Sequence, residues 1–194
     1  MGLSLVAIIL LSPVMLAIAV AIWSGDRGPI LFRQIRVGRD CRPFVILKFR
    51  SMLVSDSNDS SSQGTVTEAD IAEARRKFRT TVRNDPRITP VGRLLRSSHL
   101  DELPQFFNVL RGDMSLVGVR PDTPSQEADY EPAYWVERHA LRPGITGPAQ
   151  IGPTDGGLAD RTALERQWLR APNLRTYLIV LGRTIGKVVN RSSF

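Results

Sequence analysis

Asp101 and Glu102 are the one place in the chain where two acidic residues stand side by side. Leu103 and Pro104 follow directly, and Arg87, Arg93, Arg96, Arg111 and Arg120 surround the pair in sequence. Carboxylates among arginines are expected to keep low pKa values and stay ionised, which suits attack on an electrophile or metal binding better than acid catalysis. A surface pair salt-bridged to its neighbours has the same composition, so the pair alone leaves both readings open. The wider balance favours an anionic partner. Lys plus Arg number 26 against 19 Asp plus Glu, giving a net charge of +7, which fits nucleic acid, a phospholipid surface or a phosphorylated substrate. Cys41 is the single cysteine, and His99 and His139 are the only histidines. These exclude an internal disulfide and a Cys- or His-rich metal centre. A metal held here would take oxygen ligands, which points to Mg²⁺.

Elements must bring these groups together, and the first of them sets the class. Between Gly2 and Trp23 no side chain is charged, and Ser4 and Ser12 are the only polar ones. A run of about 20 apolar residues has the length of a membrane-spanning helix, and it lacks the polar stripe of a helix on a soluble core. It also lacks the basic start and small-residue cleavage site of a secretory signal. Pro13 lies mid-run after Ser12 and predicts a kink or break. Each arm then reaches roughly 15 Å, about one leaflet. A hairpin that re-enters the same leaflet and a kinked spanning helix both satisfy this pattern.

Past the apolar run the chain turns basic, with Arg27, Arg33, Arg36, Arg39, Arg42, Lys48 and Arg50 against Asp26 and Asp40. This bias assigns the segment to the cytoplasmic side, near anionic headgroups. Pro29 to Val37 alternates as a strand, Gly38-Arg39-Asp40 can turn, and Phe44 to Phe49 reads as the returning strand of a β-hairpin. Residues 55–67 are polar and Ser-rich, as in a loop. Thr67-Glu68-Ala69-Asp70 then opens a short basic helix running to Arg79. Thr89-Pro90 starts another helix. Leu94, Leu95, His99, Glu102 and Leu103 are expected on one side of it, with the carboxylate pair inside and Pro104 at its end. Residues 105–110 suggest a further turn of helix, closed by Arg111-Gly112-Asp113. Pro/Gly-rich loops at 118–124 and 142–157 flank a helical stretch at 130–139. Residues 161–189 form an amphipathic helical region interrupted by Pro172.

Several stretches, in order, resemble the bacterial sugar transferases, the monotopic phosphoglycosyl transferases. They are Leu11-Ser12-Pro13, Phe32-Arg33-Gln34-Ile35-Arg36-Val37-Gly38 and Lys48-Phe49-Arg50-Ser51-Met52. Asn84-Asp85-Pro86-Arg87-Ile88-Thr89 with Val91-Gly92-Arg93, and Leu100-Asp101-Glu102-Leu103-Pro104-Gln105, follow. Asp113-Met114-Ser115-Leu116-Val117-Gly118, Arg120-Pro121 and Arg142-Pro143-Gly144-Ile145-Thr146-Gly147 complete the series. Val119 departs from it, standing where the family often has proline.

The resemblance implies an α+β, mainly helical fold. It has a re-entrant membrane helix over residues 1–24, and a cytoplasmic catalytic domain over residues 25–194. That domain would hold a small β-hairpin and amphipathic interfacial helices around the active site, on the cytoplasmic face of the bacterial inner (plasma) membrane. Ser12 and Pro13 would turn the membrane helix back. Asp101 would attack the β-phosphate of a UDP-sugar, releasing UMP, and polyprenol (undecaprenyl) phosphate would then take the phosphosugar. Glu102 would join Asp101 in holding Mg²⁺. Arg120 is the leading phosphate-binding candidate and Arg96 the second. Arg87, Lys48, Arg50 and Arg142 are of third rank, each equally suited to a structural or headgroup contact. Implied partners are the UDP-sugar, the polyprenol phosphate and anionic lipids; the sugar, the glycan and any homodimer stay open. A catalytically silent membrane-tethered scaffold is the rival from another class. The uncharged first segment and the lack of an aromatic stacking motif argue against nucleic acid.

Overall fold

The computed structural model describes residues 2–53, 67–77, 85–152 and 157–189. The apolar run is one helix, α1 (Gly2–Asp26), with Pro13 inside it. Proline has no N–H for the carbonyl four residues back, which here is that of Ile9. The Ser12 hydroxyl donates to that same carbonyl at 2.8 Å. The orphaned acceptor is thus satisfied from the neighbouring side chain, and Pro13 does not interrupt the helix. Leu3, Leu5, Val6, Ile9, Leu10, Val14, Leu16 and Val20 are exposed along α1. One side of its later turns is buried: Ile18 and Ile22 form a core with Phe49 and Leu95, flanked by Met15, Ile30, Val91, Leu100 and Leu103. At the end of α1, Asp26 takes the Arg50 guanidinium through both terminal nitrogens, one of them at 2.7 Å. Apolar helix and polar domain are therefore joined by a core and a forked ion pair.

The expected hairpin is present. Strands β1 (Leu31–Val37) and β2 (Pro43–Phe49) pair antiparallel, with Gln34 opposite Ile46. The turn runs through Cys41, and Asp40 and Cys41 adopt φ of 57° and 58°. The other edge of β2 is completed by a side chain. Asn108 Oδ1 accepts from Leu47 N at 3.0 Å, and its Nδ2 donates to Val45 O at 2.7 Å. A fully buried amide so takes the place of a third strand.

Helix α2 (Glu68–Lys77) begins where expected. Thr67 N donates to Asp70 at 2.8 Å, and Asp70 N donates back to Thr67 Oγ1 at 3.3 Å, a reciprocal cap. The serine-rich residues 55–66, and Arg79, lie outside the described residues.

Helix α3 (Pro90–Ser98) corrects the sequence reading. Thr89 caps its start by accepting from Gly92 N at 2.9 Å. It stops at His99, whose φ is 56°, and Leu100–Glu102 form a separate 3-10 turn. The carboxylate pair is therefore not inside the helix, and Leu94 is 65% exposed where Leu95 is buried. The left-handed residue redirects the chain so that Leu100 and Leu103 join the core against α1. Burial of two leucines offsets a conformation that costs about 1–2 kcal/mol. Position 92 also requires glycine, since a Cβ there would lie 1.9 Å from the Ser51 carbonyl oxygen.

Helix α4 (Gln105–Arg111) follows and ends at Gly112, φ 87°. Phe44, Ile46, Val109 and Met114 then build a second core beneath the hairpin. Two short strands unforeseen in the sequence, β3 (Ser115–Val117) and β4 (Gly144–Thr146), pair in parallel. Their approach leaves no room at Gly144, where a Cβ would meet Gly118 N at 2.1 Å. Between them α5 (Pro132–Arg138) occupies the expected helical stretch. Helices α6 (Pro148–Ile151), α7 (Gly157–Arg170) and α8 (Leu174–Val189) complete the chain, with Pro172 between the last two. Val117, Val119, Trp168 and Val180 form the third core. The architecture is mainly helical with small two-stranded sheets.

Candidate active site

Cross-strand partners point to the same side of a hairpin. Arg36 stands opposite Phe44, Gln34 opposite Ile46 and Phe32 opposite Lys48, so these six share one face. Arg36, Ile46 and Lys48 of that face form one wall of an open cleft. Glu102 and Gln105 enter from the 3-10 turn and the start of α4, Arg120 and Pro121 from the loop after β3. Gly144 and Ile145 of β4, and Gln150 of α6, close the far side.

Lys48 Nζ meets Glu102 Oε1 at 2.7 Å, with both side chains largely buried. Burial pushes the Glu102 carboxyl up, but the charge and hydrogen bond of Lys48, with Arg120 and His99, outweigh it and hold the pKa below its ordinary value. Asp101 behaves oppositely. Burial and the neighbouring Glu102 charge raise it, against the pull of Lys48, Arg96 and His99. The expectation of two depressed carboxylates thus fails for Asp101, because desolvation there exceeds the help of nearby cations. Two adjacent acids with opposite shifts suit different roles.

Of the residues picked from the sequence, Lys48, Glu102 and Arg120 meet in the cleft, and Asp101 adjoins them on the same turn. Arg96, on the last turn of α3, acts on Asp101 through its charge. Others are placed elsewhere. Arg87 grips Asp85 at 2.9 and 2.6 Å, Arg50 is buried against Asp26, and Arg142 is exposed and outside the cleft lining. Sequence reasoning passed over Arg36, Gln105 and Gln150. The signal for Arg36 was available: it alternates with Ile35 and Val37 and shares a strand face with Lys48 once the hairpin is registered.

The loop bearing Arg120 is fixed from behind by a buried charge cluster. Arg138, wholly buried, donates to Glu165 at 2.8 and 3.1 Å and to the Arg120 carbonyl at 2.8 Å, and pairs with Asp122. Arg161 joins Asp122 at 3.3 Å and Glu165 at 3.1 Å, and the Tyr134 hydroxyl donates to Glu165 at 3.0 Å. On the opposite side Val37 N donates to Asp122 O at 2.9 Å. These contacts make the position of Arg120 a property of the fold.

The cleft gathers Arg36, Lys48 and Arg120 around Glu102, with Asp101 one residue before it in the same turn. Over residues 1–191 the chain matches the bacterial sugar transferase family. The chain belongs to that family. It is 38% identical over 196 residues to the UDP-glucose:undecaprenyl-phosphate glucose-1-phosphate transferase of Klebsiella pneumoniae, covering 96% of this chain and 38% of that protein. It is 40% identical over 182 residues to the UDP-N-acetylgalactosamine-undecaprenyl-phosphate N-acetylgalactosaminephosphotransferase of Aeromonas hydrophila, covering 92% of this chain and 39% of the relative. The exopolysaccharide production protein PSS of Rhizobium leguminosarum bv. phaseoli is 36% identical over 204 residues, covering 98% of this chain and 94% of its own length. This bacterial sugar transferase chain thus spans less than two fifths of the first two relatives and nearly all of the third.

Among the described residues no three His, Cys, Asp or Glu side chains gather as a metal cage. Mg²⁺ does not require one, since it commonly takes one or two carboxylates plus substrate phosphates and waters. Asp101 and Glu102 supply two hard oxygen donors of that kind, so the residues present fit this ion.

Proposed function

We propose that the chain transfers a sugar-1-phosphate from a UDP-sugar to polyprenol (undecaprenyl) phosphate through a covalent intermediate on Asp101. The observation that carries this reading is the convergence of Arg36, Lys48 and Arg120 on a cleft that Glu102 lines and Asp101 adjoins on the same turn. The named substrates of the relatives, UDP-sugars and undecaprenyl phosphate, support it.

In the first step an Asp101 carboxylate oxygen bonds to the β-phosphorus of the donor. The bond from that phosphorus to the bridging oxygen breaks, and UMP leaves with the electron pair. In the second step a phosphate oxygen of the polyprenol phosphate bonds to the same phosphorus, the acyl-phosphate bond breaks, and Asp101 is regenerated as a carboxylate. Arg120 and Arg96 hold phosphoryl oxygens and neutralise the charge that otherwise repels an attacking carboxylate. Lys48 keeps Glu102 in place. Asp101 and Glu102 would hold Mg²⁺, which supplies further neutralisation of phosphate charge when bound.

The exposed apolar face of α1 supports membrane insertion. We infer that in the bilayer α1, continuous in the structure, bends at Ser12-Pro13, where one backbone hydrogen bond is already lost, and stays within the cytoplasmic leaflet of the inner membrane, leaving residues 25–194 in the cytoplasm. Leu174, Leu178, Ile179 and Ile185 are exposed on α8 among Arg175, Arg183 and Lys187, a pattern suited to lying on anionic lipid. The product begins glycan assembly at the membrane, in keeping with the exopolysaccharide relative.

The test is a panel of UDP-sugars offered with undecaprenyl phosphate in detergent or nanodiscs. One donor is expected to release UMP and form a polyprenol-diphosphate sugar. UMP release from none of them would overturn the reading and favour the silent scaffold.

A further inference from the structure

Among the described residues, Arg36 is hydrogen-bonded by neutral groups alone. Its guanidinium is largely buried in the cleft wall, donating to Pro121 O at 3.0 Å and to Gln34 Oε1 at 2.5 Å, and both acceptors are neutral. Among the described residues its buried Nε has no hydrogen-bond partner. Arg120 lines the same cleft. Burial, then repulsion by Arg120, push the Arg36 pKa down to about 10. The two carboxylates that favour its charge, Asp122 and Glu102, are engaged elsewhere, Asp122 with Arg138 and Arg161 and Glu102 with Lys48.

The other deeply buried guanidiniums are handled differently. Arg50 has Asp26, and Arg138 has Asp122 and Glu165. A desolvated cation beside a second cation is unfavourable unless an anion joins them. The anion that suits two guanidiniums carries several oxygens and more than one negative charge, which describes a phosphoryl group.

We propose that Arg36 and Arg120 together form a two-guanidinium seat for the phosphoryl oxygens of a substrate, with Arg36 contacting the ligand directly. The inference rests on the proposed function only for the identity of the bearer, which is either the diphosphate of the nucleotide sugar or the phosphate of the lipid acceptor.

The experiment compares the parent with Arg36→Gln and Arg36→Lys in nanodiscs. Binding of inorganic pyrophosphate, of UDP, and of undecaprenyl phosphate incorporated in the nanodisc is titrated over a range of salt concentrations. Arg36→Gln is expected to weaken pyrophosphate binding by about tenfold or more, the effect of losing a charge-assisted contact. It should also flatten the salt dependence, which a purely structural role for the Pro121 contact would not do. Arg36→Lys keeps the charge without the fork and should fall between the two. Loss confined to UDP assigns the seat to the donor, and loss confined to the lipid assigns it to the acceptor. Parental affinity for pyrophosphate, UDP and lipid alike in Arg36→Gln overturns the seat. If Arg36→Gln does not fold, unchanged affinities in Arg36→Lys do so. A parent that binds pyrophosphate through Arg36 yet releases no UMP from any UDP-sugar would leave the seat standing and remove the proposed function. A parent that turns over while Arg36→Gln keeps its affinities would do the reverse.

Discussion

Replacing Arg138 by methionine keeps an unbranched stem and removes the guanidinium and its charge at a position with no solvent exposure. The buried cluster is neutral as it stands, with Arg138 and Arg161 against Asp122 and Glu165. Without Arg138 it carries one net negative charge, and Glu165 loses contacts at 2.8 and 3.1 Å that Arg161 alone does not replace. Removing one partner from a buried ion pair costs about 3–5 kcal/mol. For a chain of this size that lowers the melting midpoint by roughly 6–20 °C. The Arg120 carbonyl also loses its donor, so KM for the donor sugar should rise more than kcat falls. Thermal unfolding in detergent, with donor kinetics at a permissive temperature, measures both effects. A second variant tests the cause. Arg138→Met with Glu165→Met leaves the neutral pair Asp122–Arg161 and should lose less than the two single changes added together. A cost below about 1 kcal/mol for the single change, or strict additivity of the two, would refute the argument that uncompensated buried charge is what destabilises.

Three further expectations follow from other parts of the molecule. Replacing Ser12 and Pro13 by Leu and Ala should give a helix of roughly 33 Å or more with no turning point. A cysteine at position 2, in a Cys41→Ser background, should then be labelled from the periplasm in the variant only; labelling of the parent would replace the re-entrant reading with a spanning anchor. Asp85 is lowered from 3.8 to about 2 by Arg87, so its stabilising effect is complete above about pH 4 and is lost as the pH falls toward 2. Asp85→Asn should therefore show a shallower loss of stability over that interval, and an unchanged acid unfolding curve would remove the pair from the account. Glu102→Gln should lower turnover by at least an order of magnitude and raise the Mg²⁺ concentration needed for half-maximal rate, because an amide is a weaker ligand for a hard cation. An unchanged Mg²⁺ requirement would take Glu102 out of the metal's reach.

Local signals carried much of this structure. Alternation drew the hairpin, and Thr67 and Asp70 marked the start of α2. What could not be read depended on distant partners. The stretch around Asp101 has helical spacing, yet His99 turns left-handed because Leu100 and Leu103 have a core to reach on α1, some eighty residues away in sequence. Strands β3 and β4 are three residues each, too short for a pattern, and meet only because glycines at 118 and 144 allow backbones to touch. The raised pKa of Asp101 has the same origin. Nearby arginines are visible in sequence, whereas desolvation is set by how the turn is buried. Arg120 was legible as a candidate, but the cluster of Arg138, Asp122, Glu165 and Arg161 that holds its loop is spread over forty residues with no spacing of its own.

Trapping the intermediate tests covalent transfer through Asp101. The parent chain is incubated with its active UDP-sugar and no lipid acceptor, then digested and sequenced by tandem mass spectrometry. The account predicts one sugar-phosphate added to Asp101, released when undecaprenyl phosphate is supplied, and no adduct in Asp101→Asn. Product formation at a near-parental rate by Asp101→Asn, or an adduct on another residue, would contradict it.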